Sequence, residues 1–283
     1  MAETYQLHSP ENLPEGTAQS YRKAMMLLTR AGIPFLLGGA YALAHHSEIV
    51  RHTKDLDVFL KPEDRDRALS VLARAGYRTE IRYDYWLAKA FMGDDMIDLI
   101  YRSPNGVNSI TDEWLDHAIT TEVLGVPVKL CSAEHMVVSK CYVLNNDRND
   151  LADVMHLFLR AAGSLNWDYL LGLFSKHPRL LLGHLILFGF VYPSERHVIP
   201  SRYVQRLIDE VRSEDATFVP VCNGTLLSHS QYRKDIEENG FIDGRLLPHG
   251  NMTEADVAAA SFTPAELAAP SAQQGAVAAG DTR

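Results

Sequence analysis

The sequence predicts an α/β (α+β) fold, strands with helices followed by helices alone. Three observations predict it. Strand-length apolar runs alternate with helical periods up to Cys131, only helical patterns follow Ser132, and composition turns to Ala, Pro, Gln, Gly and Thr after Gly250. The 283 residues suffice for one large domain or two modest ones. The expected organisation is an N-terminal extension over 1–16, an α/β unit over 17–131, a helical unit over 132–249 and a disordered tail over 250–283.

In order along the chain, Thr17 to Ala31 places Ala24, Leu27, Leu28 and Ala31 on one helical face, and Gly32 with Pro34 ends that helix. Phe35 to Leu37 is a short strand running into Gly38-Gly39 and a short helix, Ala40 to His46. After a charged loop, Leu56 to Leu60 is a strand, and Pro62 suits the first turn of a helix over Glu63 to Ala75. Strands follow at Tyr77 to Tyr83, Trp86 to Met92 and Met96 to Tyr101, the last two joined at Gly93-Asp94-Asp95. Thr121 to Val123 and Val126 to Leu130 flank Leu124-Gly125 as a further hairpin. Ser132 caps a helix carrying Met136, Val137, Lys140 and Leu144. Further helices are predicted over Asp150 to Ala162, Trp167 to Ser175, Arg179 to Phe190 and Ser201 to Arg212.

Composition excludes several classes. A net charge of −9 disfavours a long basic nucleic-acid groove. Cys131, Cys141 and Cys222 are widely spaced and odd in number, so neither a disulfide framework nor a zinc site is indicated. The first residues lack the basic and apolar regions of a signal peptide. The longest apolar run, Leu180 to Tyr192, is shorter than the roughly 20 residues of a membrane span. The expectation is a cytoplasmic protein with no membrane segment, and His184 within that run reads as a hydrogen-bonded core histidine.

The chemistry concentrates between Leu36 and Leu60, LLGGAYALAHHSEIVRHTKDLDVFL. Asp55 and Asp57 are two apart on a strand, so both project to one face. Paired carboxylate oxygens suit Mg²⁺, which is held by one or two carboxylates together with substrate phosphates. Gly38 and Gly39 at a helix start allow backbone N–H groups to approach an anion. Asp98 in MIDLIY lies in an apolar strand pattern, where an unpaired carboxylate is costly, and is the candidate for a third carboxylate.

These residues resemble the nucleotidyltransferase fold of the DNA polymerase β superfamily, whose core is hydrophobic-Gly-Gly/Ser, a DxD strand and a third Asp on a neighbouring strand. Leu37-Gly38-Gly39, Asp55-Leu56-Asp57 and Asp98 carry the match. More narrowly, the chain is similar over about 20–160 to a bacterial GGxA…RxTxDxD branch that includes AbiEii-type toxin nucleotidyltransferases. Arg51 and Thr53 stand at its Arg and Thr positions, and Lys140 with Asp150 and Asp153 matches its downstream lysine and Dxx(D) motif. The resemblance implies transfer of a nucleoside monophosphate from an NTP to an acceptor hydroxyl, with release of pyrophosphate. It implies that Asp55, Asp57 and Asp98 bind two Mg²⁺ ions, with Mn²⁺ as a substitute, and that Asp98 takes the acceptor proton. Gly38, Gly39, Arg51 and Thr53 would hold the nucleotide. Lys140 would neutralise the triphosphate or pyrophosphate, and Asp150 and Asp153 would orient Lys140 or the base of the nucleotide.

Glycosyltransferases and haloacid-dehalogenase phosphatases also use DxD, but there the motif follows an apolar strand. Here Val50-Arg51-His52-Thr53-Lys54 precedes it, so the carboxylates open their strand. His45 and His46 are adjacent and do not share a helix face, which disfavours a metal cluster with Glu48. Tyr83, Tyr85 and Trp86 could stack a base, although packing is the commoner use of strand aromatics. Two acceptor classes stay open, a small molecule or protein, and an RNA end contacted by Arg65, Arg67, Arg74, Arg78 and Arg82. The toxin-like reading adds an antitoxin-like partner protein. A catalytically silent nucleotide-binding regulator is the remaining alternative, as is a phosphohydrolase.

Overall fold

A computed structural model describes residues 13–51, 53, 55–215 and 218–262. Helix α1 (Glu15–Arg30) buries Ala18, Tyr21, Ala24, Met25 and Leu28, and Gly32 at φ 60° turns the chain into β1 (Phe35–Leu37). Helix α2 (Gly39–Ser47) leads to β2 (Asp55–Leu60). The helix expected from Glu63 opens as a 3₁₀ turn, Pro62–Asp64, before α3 (Arg65–Arg74). Then come β3 (Arg78–Tyr83), β4 (Leu87–Met92), β5 (Asp95–Ile100), α4 (Asp112–Asp116), β6 (Ile119–Val123) and β7 (Val126–Leu130). Helix α5 (Ala133–Cys141) starts at Ser132, whose Oγ accepts the His135 N–H as the cap residue should. It is followed by α6 (Leu151–Ala161), α7 (Trp167–Leu173), α8 (Pro178–Val191) and α9 (Ser201–Ser213).

The seven strands form one mixed sheet in the order β3-β4-β5-β2-β1-β7-β6, with β2 parallel to β5, β1 parallel to β7 and the other pairs antiparallel. Period-two alternation sorts its faces. Leu56, Val58, Ile97 and Leu99 are fully buried, while Asp55, Asp57 and Asp98 point to the opposite face. Helices α1 and α3 pack on each other and on the sheet, whereas α2, α5 and α6 form a layer of their own. One buried cluster runs from Tyr21 to Leu226 and crosses residue 131 without a break. Among the described residues no helix is long and apolar enough to cross a membrane.

The β6–β7 hairpin carries Leu124 at φ 53° and Gly125 at φ 76°, the pair of positive φ values that a two-residue type I′ turn demands. Leucine is a poor occupant of that region. Leu124→Asn is therefore expected to stabilise the fold by about 0.5 kcal/mol, read as a rise in urea midpoint at unchanged slope.

The tail expected from residue 250 begins too early. Strands β8 (Val221–Cys222) and β9 (Ile242–Asp243), with α10 (His229–Glu237), lie in the span expected to be helical alone, 132–249, and helix α11 (Glu254–Ser261) falls within the expected tail. Helix α11 forms because Thr253 and Asp256 close a capping box at its start, and because it packs on β3. The Trp86 indole N–H donates to Ala260 O at 3.2 Å, and the Tyr85 N–H donates to Ala259 O at 3.5 Å. Tyr83 and Trp86 stack on each other at 5.3 Å. The expectation of disorder over 263–283, and most of that of an extension over 1–16, falls outside the described residues.

Candidate active site

The parallel pairing of β2 and β5 sets Asp57 directly beside Asp98, and the antiparallel pairing of β4 and β5 sets Lys89 beside Asp98 on its other side. One row across the sheet therefore reads Lys89, Asp98, Asp57, with Asp55 two residues along β2 on the same face. Lys89 Nζ donates to Asp98 Oδ1 at 2.6 Å. Thr53 Oγ1 lies 2.8 Å from Asp55 O and 2.9 Å from Asp55 Oδ1, so the threonine fixes the rotamer of the first carboxylate.

The Gly-Gly pair meets this row from β1 and α2. The Gly38 N–H donates to Asp57 O at 3.0 Å. A Cβ on Gly38 would stand 2.9 Å from the Phe59 ring. Gly39, the first residue of α2, has φ 49°, and a Cβ there would overlap the Asp57 carboxyl. The second carboxylate thus lies directly against the opening turn of a helix, where the dipole favours negative charge. Burial pushes the Asp57 carboxyl up to about 7, with Asp55 and Asp98 adding to the rise. Burial also raises Asp98, while Lys89 opposes it.

A second cluster of charges lies on the α5–α6 connection. Lys140 on α5 is buried, and its Nζ donates to Asp150 Oδ2 at 2.9 Å and to Asp153 Oδ2 at 2.7 Å. Arg148 closes on Asp150 at 2.9 Å, and Arg51 pairs with Asp153. Burial works against the Asp150 carboxylate, yet Arg148 and Lys140 hold it below the usual carboxylate range. Arg148 also faces the first cluster, acting electrostatically on Asp57 and Asp98. Removing the central charge as Lys140→Met leaves two buried aspartates with one arginine each. It is expected to cost about 3 kcal/mol in chemical denaturation.

All ten sequence-predicted residues fall into these two groups. Asp55, Asp57, Asp98, Gly38, Gly39 and Thr53 form the first, and Arg51, Lys140, Asp150 and Asp153 form the second. Two further cations, Lys89 and Arg148, were not singled out. Lys89 carries the same signal that marked Asp98, a lone charge in an apolar strand pattern, WLAKAFM. Arg148 sits in the polar stretch NNDRND, which gives no such signal. His46 Nε2 lies 2.8 Å from Cys131 O and ties α2 to the start of α5, while buried His184 holds Leu180 O at 2.9 Å through Nδ1.

Asp55 and Asp57 offer hard oxygen donors on one face, and the Asp57 anion is disfavoured by burial and by two neighbouring carboxylates. Both features fit a divalent cation. Among the described residues no three acidic, imidazole or thiol side chains converge as ready metal ligands, and Asp98 is engaged by Lys89.

No curated protein matches the chain. Among solved structures it is similar to a lincosamide antibiotic adenylyltransferase, LnuA, with lincomycin bound, at 15% identity over 52% of this chain and 97% of that one, with a TM-score of 0.37. It is similar to JHP933 from Helicobacter pylori at 16% identity over 80% and 99% of the two chains, with a TM-score of 0.34. It is also similar to the Megavirus polyadenylate synthase at 12% identity over 72% and 52%, with a TM-score of 0.36. Residues 16–182, more than half of the 283, match the model of a family described as uncharacterised nucleotidyltransferases, and they include both charge clusters and the glycine pair; the chain belongs to that family.

Proposed function

We propose that the protein is a Mg²⁺-dependent nucleotidyltransferase that moves a nucleoside monophosphate from an NTP to a hydroxyl of a small molecule or protein, releasing pyrophosphate. The observation that carries this reading is the single row of Asp57 and Asp98 in register, with Asp55 on the same face and the α2 N-terminus against Asp57. Asp55, held by Thr53, and Asp57 would bind the cation, which when bound supplies Lewis-acid polarisation of the α-phosphate and charge neutralisation. Asp98 accepts the proton of the attacking hydroxyl as the new phosphate ester bond forms and the bond to pyrophosphate breaks. The α2 start at Gly39 receives the triphosphate, while Gly38, whose N–H donates to Asp57 O, keeps the turn open beside it. The Arg51 and Arg148 side chains are 42% and 67% exposed, so they meet its charge, while Lys140 keeps Asp150 and Asp153 in place beneath them.

Three of the five arginines that could contact RNA are engaged within the fold, which favours the small-molecule or protein acceptor. Arg65 pairs with Asp66 and Asp84, Arg67 with Asp64 and two backbone carbonyls, and Arg78 with Glu80 and the Phe91 ring. The test is incubation of wild type and Asp57→Asn with Mg²⁺ and each α-³²P-labelled NTP in a host extract, followed by separation of RNA, protein and small molecules. Label in the small-molecule or protein fraction with wild type only is the expected result. Label on RNA would turn the reading to the toxin-like branch and its antitoxin-like partner. Release of inorganic phosphate without label transfer would sink it in favour of a phosphohydrolase.

A further inference from the structure

The third carboxylate already has a cation. Lys89 and Asp98 stand opposite each other on β4 and β5, their side chains are 17% and 13% exposed, and the Nζ–Oδ1 distance is 2.6 Å. Among the described residues, the Lys89 ammonium donates to the Asp98 carboxylate and to Met96 Sδ, the latter at 3.3 Å, and Asp98 is its one ion-pair partner. Strand register fixes the arrangement. In the row Lys89, Asp98, Asp57, the lysine flanks Asp98 on the side away from the Asp55/Asp57 pair. A divalent ion brought up to Asp98 must share that carboxylate with a fixed positive charge, and like charges at such range repel strongly where water is scarce. Among the described residues, Asp55, Asp57 and Asp98 do not form a three-ligand group.

We propose that Lys89 stands in for one of the two cations, so that its ammonium occupies Asp98 and the site binds one fewer divalent ion than its three carboxylates could hold. Lys89 is on this view a positioning residue. It aims Asp98 Oδ1 away from Asp57 and leaves the other carboxylate oxygen for the acceptor hydroxyl. The inference rests on the proposed nucleotidyl transfer for its meaning, but its test does not use activity.

The experiment counts Mn²⁺ bound per chain by electron paramagnetic resonance, with the full-length wild type, Lys89→Met, Lys89→Gln, Lys89→Arg and the double variant Lys89→Met/Asp98→Asn. Loss of the lysine charge is expected to add one Mn²⁺ per chain. Lys89→Arg is expected to keep the wild-type count, and the double variant to return to it. Lys89→Gln retains a donor for Asp98 and reports the same gain if Lys89→Met fails to fold. Equal counts in wild type and the neutral variants would overturn the proposal, as would an added ion that survives Asp98→Asn. A wild type that binds no Mn²⁺ would refute the metal role given to Asp55 and Asp57, and the difference between wild type and the neutral variants would still decide the role of Lys89.

Discussion

Asp57→Asn is expected to abolish nucleotidyl transfer and, at the same time, to make the protein more stable above neutral pH. The loss follows from removing one of the two carboxylates that share the β2 face. Charge stabilisation worth several kcal/mol of barrier corresponds to a rate fall of roughly 10³-fold or more. The gain follows from the direction in which the carboxyl is shifted. Its folded value, about 7, stands above the ordinary 3.8, so between these limits the folded chain holds a proton that the unfolded chain has released. Stability thus falls as pH rises through this window, and above about 7 the buried anion destabilises the fold by an amount of order a few kcal/mol. Asparagine removes that penalty. Thermal melts of wild type and variant should coincide near pH 4 and separate by several degrees at pH 8, the variant melting higher. Added Mg²⁺ should narrow the gap by stabilising the wild type alone. A variant that melts lower at pH 8 would contradict the buried-anion account.

Gly39→Ala is the second large effect. A methyl group at this position meets two obstacles at once. The backbone has φ 49°, where an L-residue costs roughly 1–2 kcal/mol, and the new Cβ falls on the Asp57 carboxyl. Asp57 cannot retreat along β2, because its backbone carbonyl is held by the Gly38 N–H and its strand is paired on both sides. The carboxylate must rotate away, and it is one of the two carboxylates proposed to hold the cation. The expected result is a destabilisation of about 3 kcal/mol in urea together with at least a roughly 10²-fold loss of transfer. Gly38→Ala faces only the Phe59 ring and should be milder on both counts.

The sheet and most helices were legible because their signals are local. Alternation around Asp55 and Asp57, the Leu124-Gly125 pair and Ser132 as a cap each state their structure within a few residues. Helix α11 was hidden by composition. A run of alanines has little apolar area to offer, and its tertiary partners, Tyr85 and Trp86, lie far away in sequence. The local signature was nevertheless present in Thr253 and Asp256. In the site, residue types disclosed the carboxylates and glycines, but the contact of Gly39 with Asp57 and the commitment of Lys89 to Asp98 depend on which strands become neighbours. Pairing order is not written in any one segment. Arg148 reaches the carboxylates only because a loop bridged by Leu144 and Asn149 turns it back beside Asp150.

The return of α11 to β3 and to the turn that follows it also bears on how the molecule is made. The Trp86–Ala260 hydrogen bond joins residues 174 positions apart, and Asn105 reaches across 121 positions to Leu226 O. Contacts of this sequence span close slowly, since a long loop must be ordered before they reward it. At a synthesis rate of roughly 5–20 residues per second, the strands emerge about ten seconds or more before their cover does. During that interval the β3 edge and the Tyr83–Trp86 pair stand open to other chains, and the mixed charges of Arg78, Glu80 and Arg82 along β3 are what discourage edge-to-edge pairing until the ribosome has delivered residue 260.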